Sequence, residues 1–511
     1  MTSLLAGLAV FLVLASAMEL LAAPHPRWRT WFSGRALLTR AILFSVLYGF
    51  WLGITARPAL ATILSLGTVG VFVASSRSKQ HLLQEPLVFL DLQFIGQIFR
   101  HPTLYYGQVL LSRRILPLTL AGLLGLLVLL LALWQVEPSR RADWPAFTTF
   151  VLLLGPALLW SAVRWPRVAK GGQKLLAAPA NQLDPRETTN QWGLFVPMLA
   201  HYCRWREEGR TPRRRAGSRG FRGPAPAHDL PHVIAVQCES FADPARFFRD
   251  APHLPAYEQA LSSALAFGTL EVPAGGAYTM RTEFSFLTGQ SPEELGCDRF
   301  NPYARAEQHQ DPSLAITLAA AGYCTHFVHP HDLRFFRRHL VLPALGFQHL
   351  HGRDEFAGAE RVGPYVSDPA VARYVAQLLR HSDEPHFVFA VSMENHGPWQ
   401  AGRLGQPAAQ PRALYFQHLQ NSDRMIAALL EMSLSLDRPV LLCFYGDHSP
   451  ILGYDFPHDN PPVTDYFIHA SPRPHLPAAG PLPRTAHDLP HALLSACAAM
   501  SAPVSDQLLP A

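Results

Sequence analysis

Phe444-Tyr445-Gly446-Asp447-His448-Ser449-Pro450 decides how this chain is read, because it ends the apolar run Pro439-Val440-Leu441-Leu442-Cys443 with a turn and two metal-type ligands. The run has the length and bulk of a buried strand. Gly446 gives the backbone freedom to turn at the strand's end. Asp447 and His448 then fall at the carboxyl end of a parallel strand, where open α/β sheets place their ligands. An adjacent carboxylate and imidazole suit zinc or manganese. A polar turn after a core strand is the plainer alternative, and other stretches of the chain bear on the choice.

The same pattern recurs upstream. Apolar strands are predicted at 232–238, 264–272, 323–328, 386–392 and 440–445, with helical stretches at 312–321, 369–379 and 413–431. Such alternation predicts an α/β fold with a mainly parallel central sheet flanked by helices. The Pro-rich residues 471–483 read as a surface loop, and the final fifteen or so residues as a loose tail.

The 511 residues exceed one ordinary domain, and the 49% that are hydrophobic are concentrated in the first third. Five stretches are long and apolar enough to span a bilayer: 4–23 (broken by Ser16 and Glu19), 37–54 (with Arg40 near its start), 59–75, 115–134 and 147–163. Residues 85–111 read as an amphipathic helix lying in the interface. The Trp- and Arg-bearing loop 27–35 reads as an interfacial anchor. The expected organisation is a transmembrane domain at 1–165, an amphipathic and basic linker at 166–228, a catalytic domain at 229–495 and a tail at 496–511. Within the linker, 192–205 is predicted as a short amphipathic helix. Residues 204–222, with Arg213-Arg214-Arg215, read as a solvated tether or as a contact for anionic headgroups.

A formal charge of +5 over this length, without a nucleic-acid motif, argues against nucleic acid as a partner. The six cysteines show no C-x-x-C spacing, which argues against a structural zinc site or a disulfide-dense scaffold. Cys238 and Cys443 lie in apolar strands and read as small buried hydrophobes. A Cys297–Cys324 disulfide is compatible with an extracytoplasmic location.

The other candidate residues also follow strands. Glu239, after the first strand, is placed as a metal ligand or a capping carboxylate. Gly275-Gly276-Ala277-Tyr278-Thr279-Met280-Arg281-Thr282-Glu283-Phe284 puts a hydroxyl before a helix, whose N-terminus favours phosphate. Thr279 there is either an N-cap or a metal-activated nucleophile. Thr282 and Glu283 read as structural. His329 ends the strand in Phe327-Val328-His329, and Arg337-Arg338 follows; a His and an Arg so placed can share a phosphate. His396, in Asn395-His396-Gly397-Pro398, is a phosphate binder or the acid for a leaving oxygen.

Taken together these stretches resemble the lipoteichoic acid synthase and phosphoglycerol transferase group of the alkaline phosphatase/sulfatase superfamily. The resemblance rests on Gln237-Cys238-Glu239-Ser240, the T-x-x-T-E-F core at 279–284, Phe327-Val328-His329, Phe336-Arg337-Arg338, Asn395-His396-Gly397-Pro398 and Phe444-Tyr445-Gly446-Asp447-His448, in the family's order between residues 237 and 448. Five spans ahead of the catalytic domain also match that layout. The resemblance implies one divalent metal, usually manganese with zinc or magnesium as alternatives, on Glu239, Thr279, Asp447 and His448. It implies Thr279 as nucleophile, through a phosphothreonine, and His329, Arg338 and His396 as phosphoglycerol contacts. The family carries a Trp near Phe336, and Arg337 stands beside Arg338, so the residue facing the site there is left open.

The implied donor is phosphatidylglycerol, with diacylglycerol released. The Ala-, Arg- and Pro-rich composition points to a high-GC, Gram-negative source and hence to a periplasmic glucan or surface polysaccharide as acceptor. The implied location is the inner membrane with the catalytic domain in the periplasm. Lys and Arg counts alone give the opposite orientation, because the loop holding Arg27, Arg29 and Arg35 and the segment holding Arg77, Lys79 and Arg100 would lie in the cytoplasm. Thr279-Met280-Arg281-Thr282 does not fit the C/S-x-P-x-R of a true sulfatase. A phosphoethanolamine transferase and a non-catalytic membrane scaffold are the remaining rivals.

Overall fold

The computed structural model describes residues 2–96, 166–210, 220–224, 229–309, 312–380, 382–406, 410–452, 462–473 and 480–501. They fall into two compact units, Met1–Thr211 and Pro212–Ala511.

The first unit is helical. Helices α1 (Thr2–Glu19), α2 (Gly34–Thr55) and α3 (Pro58–Leu83) contain the segments Leu4–Ala22, Gly34–Thr55 and Pro58–His81, each long and apolar enough to cross a membrane. Val13, Leu38, Val46, Phe50 and Val71 point outward, as lipid-facing side chains would. The two charges that interrupt the expected spans meet inside the unit: Arg40 Nε lies 4.0 Å from a Glu19 carboxylate oxygen, and its guanidinium stacks on Trp31 at 4.4 Å. The expected spans at 115–134 and 147–163, and most of the expected interfacial helix at 85–111, lie outside the described residues. Before them, Phe89–Phe94 form a short 3-10 helix.

The expected linker is more ordered than its composition implied. Residues 166–208 form α4 (Pro166–Asn181), α5 (Pro185–Trp192) and α6 (Phe195–Glu208). Asp184 caps α5 through the amides of Arg186 and Glu187. Glu19 accepts from the amides of Leu194 (2.8 Å) and Phe195 (3.0 Å), tying the start of α6 to α1. Trp192 and Val196 pack with Ala36 of α2. These contacts join distant parts of the sequence, so local composition did not show them.

The second unit is built on an eight-stranded sheet. In chain order its strands, with a small hairpin (β5 and β6), are β1 (His232–Cys238), β2 (Ala266–Glu271), β3 (Cys324–Val328), β4 (His349–His351), β5 (Arg361–Val362), β6 (Tyr365–Val366), β7 (His386–Val391), β8 (Val440–Gly446), β9 (Val463–Ser471) and β10 (Arg484–Thr485). The sheet order is β10-β2-β9-β8-β1-β7-β3-β4. Strands β8, β1, β7, β3 and β4 run parallel, whereas β9 is antiparallel to both its neighbours. Strands β1, β7 and β8 are buried along their whole length, which is why they read as unbroken apolar runs.

Helices cover both faces. On one, α7 (Pro255–Ser263), α9 (Asp368–Leu379) and α10 (Pro411–Ser435) pack over Ile234, Val236, Val388 and Leu442. On the other lies α8 (Thr279–Thr288), whose Phe286 meets Tyr445 at 4.8 Å and Phe389 at 5.6 Å. Helix α11 (Leu489–Ser501) carries order past the expected start of the tail at 496, because Cys497 is buried against the Tyr323 hydroxyl at 3.2 Å. All six cysteines are free, so the Cys297–Cys324 disulfide is not formed.

Gly446 has a different role from the expected turn. Its φ is not positive, and the constraint is space: a Cβ there would collide with the Phe241 carbonyl. Gly446→Ala is therefore expected to destabilise this unit by about 1–3 kcal/mol, the usual cost of overpacking. Thermal unfolding of the full-length protein would show this as a lower midpoint. An unchanged midpoint would mean that the 239–241 turn yields freely.

Candidate functional site

Four parallel strands deliver side chains to one edge of the sheet. β1 ends at Cys238 beside Gly446 of β8, so Glu239 and Asp447 leave neighbouring strands together. β7 and β3 end alongside, delivering the 392–396 segment and His329. Ser240 has a positive φ of 52, which turns its amide back onto Asp447 Oδ1 at 2.8 Å. Tyr278 (φ 65) precedes Thr279, and Phe336 (φ 54) with Arg337 (φ 59) precede Arg338. Among the described residues, every positive-φ non-glycine residue of this unit thus lies beside a candidate site residue. Such strain concentrates where function fixes a side chain.

Glu239, Asp447 and His448 form one buried cluster whose ligand atoms lie within 4.8 Å of one another. His448 Nε2 sits 3.1 Å from Glu239 Oε1 and 3.3 Å from Asp447 Oδ2. Its Nδ1 faces the Ser449 carbonyl at 3.3 Å. Glu239 Oε1 also accepts from the Ser240 hydroxyl at 3.1 Å. Asp447 Oδ1 accepts from the Ser240 and His448 amides, whereas the buried Oδ2 accepts no hydrogen bond. Burial and the charge of Glu239 push the Asp447 carboxyl up to about 7, against the opposing effects of His448, the Ser240 amide and the Thr279 side-chain hydrogen bond. Burial works against charge on His448, but Asp447 and Glu239 raise it to about 9. Glu239 is held down at about 2; burial opposes this, and His396 and His448 outweigh it.

This donor set fits a divalent metal. Two carboxylates and an imidazole crowd together in the interior, and one carboxylate oxygen is left without a hydrogen-bond donor. A cation satisfies those atoms better than a proton does, and the oxygen–nitrogen set suits manganese, zinc or magnesium.

Thr279 is the first residue of α8, and Tyr278 occupies the cap position without a side-chain capping bond. The N-cap alternative for Thr279 therefore does not hold. Gly276 (φ +73) permits the approach to this helix, and Arg281 stacks on Tyr278 at 4.0 Å. Gln237 donates to the Thr279 carbonyl (3.2 Å) and accepts from the Tyr445 hydroxyl (2.8 Å), so the helix start is fixed to the sheet. The Thr282 hydroxyl donates to the Asp447 carbonyl at 2.7 Å.

His329 and Arg338 meet beside this cluster. His329 Nδ1 donates to the Val391 carbonyl (2.9 Å), and its Nε2 accepts from Arg338 Nη1 (3.0 Å). Burial and the neighbouring Arg338 hold His329 far below the usual imidazole range, so it is neutral. Arg338 is buried and Arg337 exposed, which identifies Arg338 as the inward residue. Arg338 also stacks on Phe336 at 5.4 Å, the aromatic position where the family carries a Trp. His396 is half-buried; its Nδ1 donates to the Gly397 carbonyl at 2.6 Å, and burial, opposed by Glu239, lowers it from the ordinary imidazole value.

Glu283, which reads as structural from the sequence, supports Arg338, and a second layer around Glu394 was not assigned. Glu283 Oε2 pairs with Arg338 Nη2 at 2.8 Å, with both side chains buried, and Glu283 Oε1 accepts from the Tyr303 hydroxyl. Glu394 accepts from His418 (2.9 Å), Asn421 (2.6 Å) and the Asp368 amide (2.7 Å). Cys238 is buried as expected, but it lies 3.5 Å from the Ser422 hydroxyl within that polar layer. Glu283 stands inside the quoted 279–284 stretch and Glu394 directly precedes Asn395, which was the one available signal; their partners come from other elements.

The family profile described as Sulfatase matches residues 231–496. The capsular polysaccharide biosynthesis protein RkpI of Rhizobium meliloti (strain 1021) is 32% identical over 443 residues, covering 84% of this chain and 81% of that protein. A putative cyclic beta-1,2-glucan modification protein of the same organism is 28% identical over 236 residues, covering 43% of this chain and 36% of that protein. Among solved structures, the Streptococcus pyogenes phosphoglycerol transferase GacH in complex with sn-glycerol-1-phosphate aligns with 22% identity and a TM-score of 0.44, over 63% of this chain and 81% of that one. The chain belongs to the sulfatase family.

Asp447→Asn keeps the side-chain shape but removes a charge from the cluster. It is expected to weaken divalent-metal binding by at least the roughly 10–100-fold that changes around a metal commonly cost. Titration calorimetry of the metal-stripped full-length protein with manganese reads this directly. Equal affinity in the variant would mean that Asp447 is not a ligand.

Proposed function

We propose that this protein is a membrane-anchored, metal-dependent transferase. In this reading it moves glycerol phosphate from phosphatidylglycerol to a hydroxyl of an extracytoplasmic glycan and releases diacylglycerol. The observation that carries the reading is the buried Glu239–Asp447–His448 cluster with its unbonded Asp447 Oδ2, and with the Thr279 side chain, at the start of α8, near enough to favour the ionised Asp447 carboxyl.

Glu239, Asp447, His448 and Thr279 would hold the divalent ion, which when bound lowers the pKa of a hydroxyl and neutralises charge on a phosphoryl group. Thr279 Oγ attacks the donor phosphorus, a phosphorus–oxygen bond forms, and the bond to the diacylglycerol oxygen breaks. The proton lost by the Thr279 hydroxyl is balanced by the one gained by the departing oxygen. His396, with Nδ1 committed to Gly397, has Nε2 left to hold or move that proton. His329 and Arg338 hold the phosphoglycerol; Arg338 keeps its charge in the interior because Glu283 offsets the effect of burial. An acceptor hydroxyl then attacks the phosphothreonine and restores Thr279.

Two observations support a lipid donor and a glycan acceptor. The N-terminal unit carries three helices fit to cross a bilayer, and anchoring beside a lipid substrate raises its effective concentration. Both Rhizobium relatives are named for polysaccharide or glucan chemistry. That chemistry places the catalytic unit on the periplasmic side of the inner membrane in this proposal.

The test uses full-length protein in detergent with manganese and phosphatidylglycerol labelled in its diacylglycerol. Release of label is expected, with Thr279→Ala slower by roughly a thousandfold or more, as for loss of a nucleophile. Release from phosphatidylethanolamine alone would reassign the headgroup, and full activity in Thr279→Ala would end the phosphothreonine mechanism.

A further inference from the structure

The catalytic edge uses the carboxyl ends of the strands. At the other end of β3, on the face covered by α9, lies a second group of metal-type ligands that the reading above leaves unused. Cys324 and His326, two residues apart, share a face of β3, and His349 of the edge strand β4 pairs directly with His326. The ligand atoms of Cys324, His326 and His349 lie no more than 4.8 Å from one another. The His326 and His349 rings stack at 4.8 Å.

We propose that Cys324, His326 and His349 form a second metal site, for a zinc-class divalent ion, which fastens the edge strand β4 to β3. One thiolate and two imidazoles are a zinc ligand set, distinct in softness from the oxygen-rich cluster at the catalytic edge. Tetrahedral zinc wants ligand atoms roughly 3.5 Å apart, given Zn–S and Zn–N bonds of about 2.3 and 2.0 Å, so only a modest contraction is needed. His349 is exposed, so it can make that adjustment, and an ion can enter from solvent. The fourth position faces the open edge, where water completes the shell.

Further histidines orient this group. His326 Nδ1 lies 3.0 Å from His351 Nε2, and His326 Nε2 lies 2.8 Å from His386 Nδ1. The row continues to the Tyr374 hydroxyl (2.9 Å from His351) and to the Ser382 hydroxyl beyond His386. Each link needs one shared proton, so the row is satisfied by neutral imidazoles, the form that ligates metal. Burial and the adjacent His386 and His351 favour that neutral form of His326, lowering it to about 3. Ligation at His326 replaces one of its two histidine contacts, and the other remains to fix the ring, as in metal sites generally. A C-x-x-C search does not see this arrangement, because register between β3 and β4 creates it.

The test titrates tag-free, metal-stripped full-length protein with Co²⁺ and follows absorption. A thiolate-to-cobalt charge-transfer band in the near ultraviolet is expected. The Glu239–Asp447–His448 cluster has no thiol and cannot produce it, so the outcome is independent of the catalytic proposal. Cys324→Ser should lose the band and one bound equivalent, and His349→Ala, at an exposed position, should shift the titration by at least roughly ten-fold. Added Zn²⁺ should abolish the band by displacing cobalt. A wild-type protein that binds cobalt without the band, or a band that survives in Cys324→Ser, overturns the proposal.

Discussion

Glu239 and Asp447 are two carboxylates buried side by side, and the rest of the site answers the electrostatic problem they pose. They come together because β1 and β8 pair in register to their last residues, Cys238 beside Gly446. Like charges this close, without water, cannot both ionise unless something positive lies between them. In the structure that positive group is the His448 imidazole, in reach of both. The arrangement is half complete: Asp447 Oδ1 has two amide donors, and Oδ2 has none. A stability-driven core would not retain such an atom. Its place at the ligand-bearing edge of an α/β sheet, beside a second carboxylate and an imidazole, marks a candidate cation site.

The positive side of the site is organised in the opposite way. Arg338 is an interior charge paired through Nε and Nη2 with Glu283, and through Nη1 with a neutral His329. A buried pair is costly to assemble and costlier to break, so Glu283 positions Arg338 rather than adding to the negative cluster. Glu283 belongs to α8, the helix that Thr279 begins. One helix therefore fixes both the hydroxyl and, through Glu283, the guanidinium. Thr282 adds a bond to the Asp447 carbonyl, and Gln237 to that of Thr279. The placement of α8 against Tyr445 and Phe389 thus fixes both residues at the candidate site.

Much of this was legible in the sequence where the signal is local. The unbroken apolar runs at 232–238, 386–391 and 440–446 identified the central parallel strands, and the carboxylates and histidines just beyond them supplied the candidate ligands. What was not legible depends on pairing. β9 is antiparallel, carries Asp465 in its interior, and is held by Arg246 at 2.9 Å, so its composition resembles a loop. β4 is three residues long at an edge. The helix expected at 192–205 was legible, but its anchors, Glu19 and Ala36, lie far upstream and were not; most of the 204–222 stretch read as a tether lies outside the described residues. The choice between Arg337 and Arg338 required the two left-handed residues before Arg338, which no propensity indicates for Phe or Arg. The role of Gly446 was misread for the same reason: its constraint is the carbonyl of Phe241, a neighbour only in space.

The layer beneath the site explains why charge is confined to the ligands. Asp368 and Glu394 lie in contact below Cys238, with His418, Ser422 and Asn421 around them. Burial, and for Asp368 the neighbouring Glu394, pushes these carboxyls up to about 8 and about 7. Burial lowers His418 to about 3, so it adds no positive charge. This floor stores protons instead of charge. A fully ionised floor would add negative potential behind Glu239 and Asp447. With burial favouring the neutral carboxyls in this layer, the negative charge at this edge of the sheet is mainly that of the Glu239–Asp447–His448 cluster, and the buried Arg338 lies on the same edge.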